Sequence, residues 1–172
     1  MADAKSIFNS KYKLYASTLK ETSLDSHNSV YLCKNETKII YDFDKIVKDK
    51  YPKKQPASYD TLLIEESTIY CIEFKNEEYS NIDRQRVRNK LINGKDVLVE
   101  IFQEYNIPIK DYTFNYCVIY KNSPTKWRRG ITKSTVQFEL EQYKNEYFDK
   151  IVTNDINFFK NEFKKEFKEE RC

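Results

Sequence analysis

Three residues near the middle of this chain have the types and spacing to do chemistry together. They are Asp60, Glu73 and Lys75, within YDTLLIEESTIYCIEFKN (59–76). Two carboxylates at one point hold a hard divalent cation through oxygen ligands. Such an ion lowers the pKa of a bound water and neutralises charge on a phosphodiester. A lysine beside them positions or helps activate that water, or stabilises the charged transition state. That chemistry requires three side chains to converge, which is a demand on secondary structure.

Residues 60–65 and 68–75 read as two strands joined tightly at Glu66-Ser67, a hairpin. Side chains two apart on a strand share a face. Glu73 and Lys75 therefore point the same way as Ile69 and Cys71, while Tyr70, Ile72 and Phe74 point the other way. In a hairpin the start of the first strand lies beside the end of the second, so pairing alone brings Asp60 near Glu73 and Lys75. Charged groups on a face covered by apolar neighbours need a partner or a task.

The flanking elements follow from periodicity and breakers. Residues 5–20 predict a helix carrying Ile7, Leu14 and Leu19, and 29–34 a short strand. Apolar residues at 39, 40, 43, 46, 47 and 51 have helical spacing, with a strand over the first half of 38–51 as the alternative. Pro52 and Pro56 then break the chain. Ser80 with Asp83 resembles a capping box and predicts a helix from about 81 to 105, with Gly94 as a point of interruption. Residues 112–121 favour a strand, and 135–140 offer another. Ile156, Phe159, Phe163 and Phe167 form an amphipathic stripe in a helix over about 144–170. The layout is α/β (α+β): a mixed central sheet flanked by helices, one domain over 1–172 with its core at about 38–140.

Composition bounds the rest. Hydrophobic residues make up 40% and charged residues 33% of the 172, which suits a globular chain rather than a disordered one. Two glycines argue against Gly-rich phosphate loops. The net charge of +3 neither demands nor excludes nucleic acid. Cys33, Cys71, Cys117 and Cys172 show no metal-ligand spacing and read as free thiols in a reducing compartment. The single His27 excludes a multi-histidine metal site and reads as a loop residue. No window approaches the length of a membrane span, and the start lacks the apolar core of a signal peptide. A cytoplasmic protein without membrane contact is expected.

The D…E-x-K pattern resembles the PD-(D/E)xK nuclease superfamily, the restriction-endonuclease-like fold. Asp60 matches its first acid and Glu73-Phe74-Lys75 its E-x-K, and the likeness covers about residues 58–120. Tyr59 stands where the family often has proline. The resemblance implies a metal-dependent endonuclease, with Asp60, Glu73 and the backbone carbonyl of Phe74 as ligands of Mg²⁺ or Mn²⁺. It implies that Lys75 acts on the attacking water and that a helical glutamine, here Gln85, orients it. With Ile82, Asn89 and Ile92, Gln85 falls on one helical face, read as the sheet-facing one. An upstream acid would complete the site; Glu21, Glu36, Asp42 and Asp44 are all open. The substrate is nucleic acid, DNA ahead of RNA, with a homodimer or a protein partner left open.

A basic loop supplies Lys126, Trp127, Arg128 and Arg129. Basic groups contact phosphates and a tryptophan stacks on a base; the bland reading is a solvated loop with a Trp anchor. The bland reading of Glu73 and Lys75 is a surface ion pair of little energetic worth. The rival of another class is a non-catalytic binding module, of immunity or partner-binding type, on the same scaffold, since fold does not fix function.

Overall fold

The computed structural model describes residues 3–36, 39–124, 135–168 and 172. The chain runs through α1 (Ala4–Lys11), β1 (Ala16–Thr18), α2 (Leu19–Thr22), β2 (Leu24–Asp25), β3 (Val30–Tyr31), β4 (Ile39–Asp42), α3 (Phe43–Lys50) and β5 (Thr61–Glu65). It continues with β6 (Thr68–Glu78), α4 (Arg84–Glu104), β7 (Thr113–Asn122), β8 (Lys150–Asp155) and α5 (Ile156–Phe167). The mixed central sheet expected from the sequence has the order β1-β4-β5-β6-β7-β8. Its first three pairings are antiparallel and the last two parallel. A small hairpin of β2 and β3 lies apart from it.

Helices cover both faces. On one face Phe8 of α1, Ile46 and Val47 of α3 and Val87, Leu91 and Leu98 of α4 pack on Leu62, Ile64, Ile69 and Cys71. On the other, Leu19, Phe159 and Phe163 pack on Leu63, Tyr70, Ile72 and Phe74. The alternation along β6 thus sorts its side chains between the two layers, as the period of two requires.

The hairpin that carries the motif closes through two residues. Glu65 pairs with Thr68, and Glu66 takes a left-handed backbone (φ 46°) to turn the chain. From β6 the chain returns to a parallel neighbour, β7, through α4, the crossover that parallel pairing needs. Asp83 caps α4 by accepting from Arg86 N at 3.0 Å, and the helix passes Gly94 unbroken. Gly94 has a packing task instead. A Cβ there would come within 2.6 Å of the Tyr59 ring, which is fully buried and stacked on Phe43 with centroids 4.5 Å apart.

Several expectations are corrected. The first helix ends at Lys11 rather than near 20, because Ala16–Thr18 is drawn onto the sheet edge against Ile39–Tyr41; Leu14 is left exposed. Residues 38–51 divide into a strand and a helix, with Asp42 capping the helix by accepting from Lys45 N. Residues 135–140 form no strand: Phe138 and Glu139 both have positive φ, which a strand does not tolerate. Part of the segment read as a long C-terminal helix is β8, and the helix begins only at Ile156, where Asp155 caps it. The cysteines are not all free. Cys33 and Cys172 form a disulfide, while Cys71 and Cys117 are buried free thiols. No helix among the described residues is long and apolar enough to cross a membrane.

Candidate metal and phosphodiester site

Pairing of β5 with β6 sets the site. Thr61 lies opposite Ile72, so Asp60, just ahead of β5, is placed opposite Glu73. Both acids belong to the face covered by α4, one position further along the rows that contain Leu62 and Cys71. Asp60 is fixed by a backbone bond: Phe74 N–H donates to its Oδ2 at 2.7 Å. Glu73 is fully buried, and its Oε1 lies 2.8 Å from the Lys75 ammonium. Asp60, Glu73 and Lys75 are therefore gathered at one place, and the Glu73–Lys75 pair is a buried contact rather than a surface one.

A fourth residue joins them that the sequence reading missed. Lys90 of α4 places its ammonium 3.2 Å from Asp60 Oδ1, 2.8 Å from Glu73 Oε1 and 2.9 Å from Glu73 Oε2. Gln85, expected here, points away. It is exposed and bonds along the helix to Asn89 and Arg88. The reason is helical phase. The helix begins at Arg84, beyond Ile82, and its buried stripe is Val87, Leu91, Gly94 and Leu98. Lys90 borders that stripe and Gln85 does not.

Burial dominates the electrostatics of the group. It pushes the Asp60 carboxyl up to about 7, and the neighbouring Glu73 charge adds to this; Lys90, the Phe74 N–H and Lys75 act in the opposite sense. For Lys90, burial acts to lower the value, but Glu73 and Asp60 outweigh it and hold the ammonium more firmly protonated than usual. Behind the acids lies Tyr116, whose hydroxyl is buried and has no hydrogen-bond partner among the described residues. Burial and the charges of Glu73 and Asp60 push it well above its ordinary value, so it stays neutral.

The four charged groups form the floor of a cleft of about 800 Å³. Its wall includes the β2–β3 hairpin with His27, and one lip carries Arg86. Of the four upstream acids left open, Asp44 lines this cleft; its Oδ1 accepts from Ser58 at 2.7 Å and from Gln55 at 3.1 Å. Asp42 caps α3 and Glu36 pairs with Lys20, and neither of them nor Glu21 lines the cleft. Of the three arginines that open α4, Arg84 and Arg88 turn toward Glu139, leaving Arg86 at the cleft. Lys126, Trp127, Arg128 and Arg129 lie outside the described residues.

The donor set suits a hard cation in one respect. Glu73 Oε1 is fully buried and, despite two ammonium groups at 2.8 Å, makes no hydrogen bond of good angle. Buried carboxylate oxygens without directed donors favour a charge they can share. Among the described residues, no cluster of three or more His, Cys, Asp or Glu side chains is close enough to hold one ion, so Asp60 and Glu73 are the acidic donors present. No family model, no curated protein and no solved structure matches this chain.

Proposed function

We propose that the protein is a metal-dependent endonuclease of the PD-(D/E)xK kind, hydrolysing phosphodiester bonds in nucleic acid, DNA ahead of RNA. One observation carries the reading: Asp60 and Glu73 both reach a single nitrogen atom, with the Lys75 amine on the same Glu73 oxygen. Acids on opposite faces of the sheet would have ended it. Asp60, Glu73 and the Phe74 carbonyl would hold Mg²⁺ or Mn²⁺, which supplies a polarised water and charge neutralisation when bound. Lys75, as an ammonium, orients the attacking water and stabilises the charge that develops in the transition state, and Arg86 at the lip meets a flanking phosphate. Of the four upstream acids Asp44 alone lines this cleft, but it is not close enough to Asp60 and Glu73 to share an ion with them as placed. A role for Gln85 would need a different side-chain position from the exposed one described. The loop at 126–129 is retained as a nucleic-acid contact.

Cytoplasmic action fits the two buried free thiols, Cys71 and Cys117; the Cys33–Cys172 bond is the observation against it, since such bonds persist in oxidising compartments. The rival reading is a non-catalytic binding module, and a specific feature favours it. With both acids ionised, two carboxylates face two ammonium groups, so the cluster balances to neutrality and serves equally as a buried salt-bridge network.

The deciding experiment is incubation of the purified protein with plasmid, single-stranded DNA and RNA, in Mg²⁺, Mn²⁺ or EDTA. Asp60→Asn and Glu73→Gln serve as controls. Cleavage that needs the metal and both acids supports the nuclease. Absence of cleavage on all three substrates, with the fold intact, gives the chain to the binding module.

A further inference from the structure

The position of Lys90 has a consequence for any cation at this site. An ammonium has three N–H donors. All three of the short contacts of Lys90 are to carboxylate oxygens: one from Asp60 and both from Glu73. It is coordinated much as a metal ion would be, by the oxygens that a metal would need. Lys75 is placed differently, since its short contact is to one oxygen of Glu73. Both lysines cannot stay if a divalent ion enters. Two carboxylates and two ammonium groups sum to zero; adding two positive charges would leave the buried cluster at +2, and like charges at these distances repel strongly where water is excluded.

We propose that Lys90 is a built-in counter-cation that a divalent metal ion displaces. This rests on the nuclease reading given above. Of the two lysines Lys90 is the one that leaves, because it holds both acids while Lys75 holds one. Its side chain rises from the helix that forms the cleft lip, with Arg86 one turn earlier on the same helical face. Once out of the carboxylate pair, its ammonium stands in the cleft beside Arg86, where it meets a phosphate oxygen. Without metal, Lys90 keeps two buried acids neutralised and the site closed to phosphate. With metal, the same lysine becomes a phosphate contact, so metal and nucleic acid bind cooperatively.

The test uses two readouts that do not depend on cleavage. The first is calorimetric Mn²⁺ affinity of the native protein and of Lys90→Met, with Asp60→Asn as control. The second is acylation of Lys90 in the native protein by an amine-reactive reagent, followed by peptide mass spectrometry with and without Mn²⁺. Tenfold or tighter Mn²⁺ binding by Lys90→Met, and a severalfold rise in Lys90 labelling when Mn²⁺ is bound, are expected. Equal Mn²⁺ affinity in the two proteins overturns the displacement and leaves the metal site standing. Should Lys90→Met fail to fold, the labelling decides alone: Mn²⁺ bound with unchanged labelling overturns the displacement. No Mn²⁺ binding by either protein, or binding that survives Asp60→Asn, removes the metal site and the displacement with it.

Discussion

The ring of Tyr59 sits against the backbone of Gly94, so close that a Cβ at Gly94 would lie 2.6 Å from Cδ1 and Cε1, and the Tyr59 hydroxyl donates to the Gly94 carbonyl at 3.3 Å. Tyr59 immediately precedes Asp60, and Gly94 lies one helical turn after Lys90. This contact therefore sets the distance between the strand that carries one acid and the helix that carries its cation.

Gly94→Ala tests that spacing. Alanine improves helix propensity by up to about 1 kcal/mol. Against this, the ring cannot yield, being fully buried and stacked on Phe43, and overpacking costs about 1–3 kcal/mol. A net loss of stability is expected, read as a lower urea midpoint with unchanged slope. A midpoint at or above that of the native protein would show that α4 is free to shift.

Lys95 provides a pH dependence. It is buried, with its amine 2.9 Å from the centre of the Phe114 ring. Burial pulls this amine down from 10.5 to about 8, against the charges of Cys71 and Asp149. The folded state thus resists charging this group. The cost is absent above the unfolded value of about 10.4, grows as pH falls toward about 8, and is fully present below that. Lys95→Met should be more stable than the native protein at pH 7, by up to about 3 kcal/mol. The advantage should shrink between pH 8 and 10.5. A stability difference between the two proteins that is the same at pH 7 as at pH 10 would refute the assignment.

Lys75→Ala should lose cleavage by about 10²–10⁴, the usual worth of a positioned acid or base. Mn²⁺ binding should survive, since both carboxylates remain to hold the ion that takes the place of Lys90. Lys75→Arg should be equally inactive, because a planar, permanently charged guanidinium does not replace a compact amine. Native-rate cleavage by either variant would make the E-x-K spacing a coincidence.

The Cys33–Cys172 bond spans a sequence separation of 139 residues. Long closed loops constrain the unfolded chain most, so reduction, or Cys172→Ser, should cost roughly 2–5 kcal/mol. A thermal melt with and without reductant measures it. An unchanged melting temperature would mean that the bond adds nothing to stability.

The legible and illegible parts of the site differ in a physical way. Asp60, Glu73 and Lys75 come together as the hairpin reading expects because hairpin geometry is local: a period of two and a two-residue turn fix both face and register. The helix was harder. Ile82 looked like the start of the apolar stripe but precedes the helix, and that shift put Gln85 on the wrong side. Lys90 carries no mark of burial, because lysines on helices are ordinarily solvated and its partners come from β6 and from the residue just ahead of β5. β8 is not legible in the sequence, because its pairing with β7 is parallel and its partner lies far back in the chain. That Asp44 lines the cleft depends on the fold of 51–58, where Ser58 and Gln55 turn back to meet it.

The two-residue turn at Glu66-Ser67 also separates two requirements. Hairpin pairing by itself makes Asp60 and Glu73 neighbours, and in open water the repulsion between them would be screened and slight. The demand for a cation comes from the burial that α4 imposes on the pair, and the helix that imposes the demand is the one that brings the ammonium.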